Sequence, residues 1–178
     1  MSKVVRVPLD SSTGKTLTSA LFVNVTNTKD FRAKLLDGSL KCCAVSAKLI
    51  IDPFQLVVAA NKAAISAAAN KLVTKTVYTE LLFNLSTSKN ISQALSKFGI
   101  SDSDTNFIVC TIDDNEDAEL KDVLDIVEGE MCDMEALSNL SDTAAIKKTY
   151  KIQDSESQCF PLVDSIVSRL AASDFISQ

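Results

Sequence analysis

The sequence predicts an α+β fold: one domain over residues 1–178, with a mostly antiparallel or mixed β-sheet covered by helices. Three observations predict it. Runs rich in apolar and β-branched residues near 4–9, 17–25 and 107–112 read as strands. Alanine-rich or amphipathic segments at 53–70, 91–98 and 160–170 read as helices. The two kinds are interspersed along the chain, with no internal repeat and no low-complexity linker to divide it. A length of 178 residues fits one domain with a substantial core, and an apolar fraction of 46% is that of a globular chain.

Val4–Leu9 pairs with Leu17–Val25 as a hairpin whose polar connection, DSSTGKT, carries Gly14. Asn27 or Thr28 caps a short helix through Phe31, Leu35 and Leu36, with Gly38 just past its end. Residues 41–50 form a mixed connection with room for a short strand. Asp52 is an N-cap, and Pro53 suits the first helical position of the helix that runs to Asn70. At 3.6 residues per turn, Gln55, Lys62, Ser66 and Asn70 form its polar stripe. Asn61 lies off that stripe, among apolar residues, and must find partners.

Thr76–Leu85, rich in β-branched and aromatic residues, reads as a strand. Asn90 caps a helix with Ile91, Ala94, Leu95 and Phe98 on one face, Gln93 completes a capping-box pattern, and Gly99 closes it. Phe107–Ile112 reads as a buried strand. An acidic helix from Asp117 to Ile126 follows, then a strand near Val127–Met131 and a helical turn at Met134–Leu137. Asp142 caps a short helix, Thr143–Lys148, before an extended TYKI. The last helix puts Phe160, Val163, Ile166, Val167 and Leu170 on one side, with Pro161 in its first turn.

Composition excludes several function classes. The chain has no histidine, which removes Ser-His and Cys-His nucleophiles and the usual zinc sites. Its five cysteines form no C-x-x-C pair and read as reduced, mostly buried thiols. No catalytic residue, metal site or cofactor is expected. No apolar run reaches a membrane span, and MSKVVRVPLD lacks the apolar middle of a signal peptide, so a cytoplasmic and nuclear location is expected.

The net charge of −5 is unevenly spread. Residues 61–97 carry Lys62, Lys71, Lys75, Lys89 and Lys97 against Glu80 alone, whereas residues 102–142 carry fourteen acids against Lys121 alone. A local basic face can bind RNA at one place, while the acidic part reads as a solvated face or a partner surface.

Three motifs tempt and fail. STGKT at 12–16 lacks the first glycine of a phosphate loop, whose place is taken by Leu9. IDDNEDAE at 112–119 lacks the glycine and terminal glutamate of a calcium loop. The sequons at Asn24, Asn84, Asn90 and Asn139 have no meaning without secretion. LSTSKN, at 85–90, is different. It precedes a helix N-terminus, which suits an anion, and adds Lys89 and several hydroxyls. Simple capping by Asn90 explains the same residues.

Together, IIDPFQLVVAANKA (50–63) and FNLSTSKNISQALSKFGIS (83–101) resemble the PRPK-binding protein family, the TPRKB and Cgi subunits. KKTYKI at 147–152 and the final SRLAASD fall where that family has them. The resemblance implies a non-enzymatic subunit of the KEOPS (EKC) complex, which makes threonylcarbamoyladenosine on tRNA. It implies a PRPK-type atypical kinase as direct partner, bound on its N-terminal lobe, and the other subunits as partners through that kinase. It further implies stimulation of the kinase and, as in archaeal relatives, a grip on the tRNA 3′ CCA end.

Two residue sets follow. Lys62, Ser86, Lys89, Asn90, Ile91 and Lys97 are candidates for the RNA end, with Ile91 and Leu85 as stacking surface. Phe31, Leu35, Val163, Ile166, Val167 and Leu170 are candidates for the kinase, with those of the last helix divided between core and partner. The alternative is a purely structural adaptor for the kinase with no RNA contact.

Overall fold

The computed structural model describes residues 3–114 and 118–175. Its sheet has the order β1-β2-β4-β3, with β5 also paired to β2, and every described pairing is antiparallel. The strands are β1 Val4–Pro8, β2 Thr16–Val23, β3 Cys43–Ser46, β4 Phe107–Asp113 and β5 Glu130–Cys132. β2 is central. One edge carries β4 along its whole length, from Thr16 opposite Asp113 to Phe22 opposite Phe107. The other edge is shared end to end: β1 covers Thr16–Ala20 and β5 covers Leu21–Val23. Gly14, at φ 64°, makes the turn between β1 and β2.

Both sheet faces are covered, so β2 and β4 are buried almost throughout. This is why β4 reads as a near-continuous apolar run, and why Thr16, Thr18 and Ser19 of β2 are buried with its apolar residues. Because side chains alternate along a strand, neighbours feed two separate cores. Leu17, Leu21, Val45, Ile108 and Cys110 point into the larger one. Ala20, Phe22, Ala44, Phe107 and Val109 point into the smaller one. Phe31, from α1 (Thr28–Leu36), and Val123, from α5 (Ala118–Leu124), close the smaller core. Phe31 stacks on Phe107, with ring centroids 5.5 Å apart.

The larger core is built by α2 (Pro53–Ala68), α3 (Val77–Asn84), α4 (Ile91–Phe98), α6 (Leu137–Leu140), α7 (Thr143–Tyr150) and α9 (Leu162–Ala172). The start of α2 follows the sequence closely. Asp52 accepts from Phe54 N–H at 2.8 Å, and Gln55 Oε1 reaches back to the N–H groups of Ile51 and Asp52. Gln55 is therefore fully buried and not part of a polar stripe. Asn61 meets its requirement for a partner, accepting from the Asp10 N–H at 2.7 Å. The alanines at 59, 60, 63 and 64 let α3 and α9 approach α2 closely.

Several expectations are corrected. The strand expected at Thr76–Leu85 is instead the helix α3, Val77–Asn84, between the cap residues Thr76 and Leu85. Thr76 and Thr79 cap α3 reciprocally, and Leu81 and Leu85 lie one helical turn apart in the core. TYKI is not extended at its start: Tyr150 ends α7 and Lys151 takes a left-handed conformation, φ 54°. An additional helix, α8 (Asp154–Cys159), precedes α9. Pro161 is the N-cap residue of α9, so Phe160 lies before the helix and is exposed. The strand expected at Val127–Met131 begins at Glu130. The acidic helix begins at Ala118, and its expected start, Asp117, lies outside the described residues.

Candidate functional site

Lys62 and Lys89 come from different elements and meet at one place, the end of α9. Lys62 leaves the middle of α2 and is only 18% exposed. Its Nζ donates to the carbonyl of Leu170 at 2.9 Å and to Ser173 Oγ at 2.9 Å, and lies 3.2 Å from Asp174 Oδ2. Lys89, just before α4, donates from Nζ to the carbonyl of Ser173 at 2.7 Å. The C-terminal end of a helix carries free carbonyls and the negative end of its dipole, so two ammonium groups are well placed there. Beside Lys62 lies a cavity of about 500 Å³ whose walls include Leu9, Phe54, Val57, Val58 and Asn61.

The polar loop before α4 is used largely on itself. Ser86 Oγ accepts from Ser88 N–H at 3.0 Å, and Ser88 Oγ accepts from Asn90 N–H at 3.2 Å. Asn90 Oδ1 accepts from Gln93 N–H at 3.0 Å. The Gln93 side chain bonds Ser88 Oγ rather than the Asn90 backbone, so the expected capping box is only half formed. Ile91 is half-buried at the first position of α4. Leu85 is fully buried in the larger core and offers no stacking surface. Lys97 is exposed in the last turn of α4, about 10 Å along the helix from Asn90. The fold thus joins Lys62 to Lys89 through Ser173; Ser86, Asn90 and Ile91 belong to the loop and helix start that carry Lys89, and Lys97 lies about two turns further along α4.

The kinase candidates divide. Phe31, Ile166 and Leu170 are fully buried and belong to the cores. Leu35, Val163 and Val167 are half-buried and reach the surface. α9 is braced from outside by Arg169, which holds Glu156 of α8 through two bonds of 2.6 and 2.7 Å. That contact pulls the Glu156 carboxyl down to about 2 and the Arg169 guanidinium up.

The kinase binding protein CGI-121 family model matches residues 22–174, which contain both lysines and α9. The chain belongs to this family. Among relatives, it is 38% identical over 160 residues to EKC/KEOPS complex subunit TPRKB of Danio rerio, covering 89% of this chain and 91% of the relative. It is 33% identical over 134 residues to EKC/KEOPS complex subunit CGI121 of Candida glabrata, covering 74% of this chain and 75% of the relative. It is 34% identical over 108 residues to the Kluyveromyces lactis subunit of the same name, covering 61% and 68% respectively.

Other features of this CGI-121 family chain emerge only in the fold. Lys147, Lys148 and Lys151 surround a second cavity of about 450 Å³ at the end of α7, where Lys147 pairs with Asp154 at 3.2 Å. The recurrence of lysine in KKTYK was the available signal. Asp174 escaped sequence reasoning altogether, because nothing local marks it as a partner of Lys62. Among the described residues, no group of three or more His, Cys, Asp or Glu could hold a metal ion. No described helix is long and apolar enough to cross a membrane.

Proposed function

We propose that this chain is a non-catalytic, single-domain subunit of an EKC/KEOPS complex, working in the cytoplasm and nucleus. It binds the complex's PRPK-type kinase, stimulates it, and helps hold the tRNA 3′ CCA end during threonylcarbamoyladenosine modification. Family membership supports the kinase and the complex. The observation that carries the RNA part is the convergence of Lys62 and Lys89 on Ser173, with a partly apolar cavity beside Lys62. Two cations next to apolar surface suit a single-stranded end, which needs phosphate contacts and a place for bases.

The test for RNA is tRNA binding before and after enzymatic removal of CCA, repeated with Lys62→Glu and Lys89→Glu. Affinity should fall in each case, and equal affinities throughout would remove the RNA role. For the kinase, Val163→Asp and Val167→Asp probe the half-buried side of α9 without entering the core. Both should weaken co-purification with the kinase, and undiminished recovery of folded variants excludes this face.

A purely structural adaptor with no RNA contact is the second reading. One observation favours it: Lys62 already has acceptors within the chain. The same tRNA measurement separates the two.

A further inference from the structure

An ammonium group has three N–H donors. Lys62 Nζ has three acceptors around it: the Leu170 carbonyl, Ser173 Oγ and Asp174 Oδ2. All its donors have partners, so a phosphate can bind Lys62 directly only by displacing one of them. The three are unequal. Leu170 O and Ser173 Oγ are bonded to each other at 2.9 Å and belong to the end of α9. Asp174 is 60% exposed, and its contact with Lys62, at 3.2 Å, is the longest of the three. It is an anion on a short side chain, as a phosphate oxygen would be on a longer ligand.

The same turn also occupies the second cation. Lys89 Nζ bonds the Ser173 carbonyl at 2.7 Å, one residue from Asp174. One displacement of residues 173–174 would therefore free Lys89 from its carbonyl and leave Lys62 held by the Leu170 carbonyl alone.

We propose that the turn Ser173–Asp174 is an internal competitor for a single-stranded RNA 3′ end, with the Asp174 carboxylate standing where an RNA phosphate must bind. This rests on the reading of Lys62 and Lys89 as RNA contacts. Free protein then holds its cations in a closed state, and the RNA binds with an affinity reduced by the population of that state.

The probe is a fluorescein-labelled single-stranded RNA ending in CCA, titrated by anisotropy at fixed ionic strength. Asp174→Asn should tighten binding about threefold, the scale of one exposed ion pair. Asp164→Asn removes an equal charge from the opposite end of α9 and should leave affinity unchanged. In parallel, acetylation of the native protein, read by mass spectrometry, should modify Lys62 faster in Asp174→Asn than in wild type.

If wild type binds and Lys62→Glu does not, an unchanged affinity in Asp174→Asn overturns the competitor but leaves the RNA site standing. An equal gain in Asp164→Asn overturns it too, because bulk charge would then explain the effect. Equal Lys62 acetylation rates also overturn it. Failure of wild type to bind the RNA at all removes the site and the competitor together.

Discussion

Lys62 Nζ, on α2, donates to the Leu170 carbonyl in the last turn of α9 at 2.9 Å, across 108 residues of sequence. This bond fastens the end of α9 to the body of the fold and adds a cation to the helix C-terminus. Lys62→Met should destabilise the protein by about 1–2 kcal/mol, read from urea unfolding. Lys89→Met, whose ammonium is more exposed and has one carbonyl partner, should cost less than about 1 kcal/mol. Equal losses would show that burial of Lys62 is not what gives the contact its weight.

Tyr150 ties α7 to the segment that presents Lys89. Its buried hydroxyl donates to the Leu85 carbonyl at 2.6 Å, and burial pushes the phenol well above its ordinary value. Tyr150→Phe keeps the ring and leaves that carbonyl without its donor. A loss of about 1–2 kcal/mol is expected in the same unfolding measurement. An unchanged midpoint would mean that the carbonyl finds another donor.

Acid should weaken the brace between α8 and α9. The Glu156 carboxyl lies at about 2 in the folded state, below its ordinary 4.5. A depressed carboxyl contributes stability that is fully present above the unfolded value and is lost as pH falls through the folded one. Glu156→Gln should therefore lower Tm at pH 7, and the gap from wild type should close between about pH 4.5 and 2. A gap that persists at the acid end would point to packing rather than charge.

The thiols should separate by burial. Cys42, Cys43 and Cys110 are buried, and the Cys42 thiol is pushed up to about 12, chiefly by burial. Burial also raises Cys43 and Cys110. Cys159 is exposed and Cys132 half-buried. Ellman's reagent at pH 8 should label Cys159 promptly and Cys132 slowly, with the other three reacting only after denaturation. Prompt labelling of Cys110 would mean that the sheet opens on the timescale of the reaction.

The sequence by itself determined whatever depends on near neighbours. Asp52 and Pro53 specify the start of α2, and Asn90 specifies the start of α4. The apolar run of β4 announces a buried strand. The segment 76–85 was misread because its valine, threonine and aromatic content favours a strand locally. Tertiary structure reverses that preference. Leu81 and Leu85 pack into the larger core, and the buried Glu80 carboxylate accepts the N–H groups of Val73 and Thr74. The sequence offered Lys62, Lys89 and Lys97 together as candidates for one RNA-end pocket, without the contacts that would join them. Only the fold decided that Lys62 and Lys89 both end on Ser173 and that Lys62 is matched by Asp174. Caps and periodicity act over a single turn of chain. A contact spanning more than a hundred residues exists only once the sheet and its helices have packed.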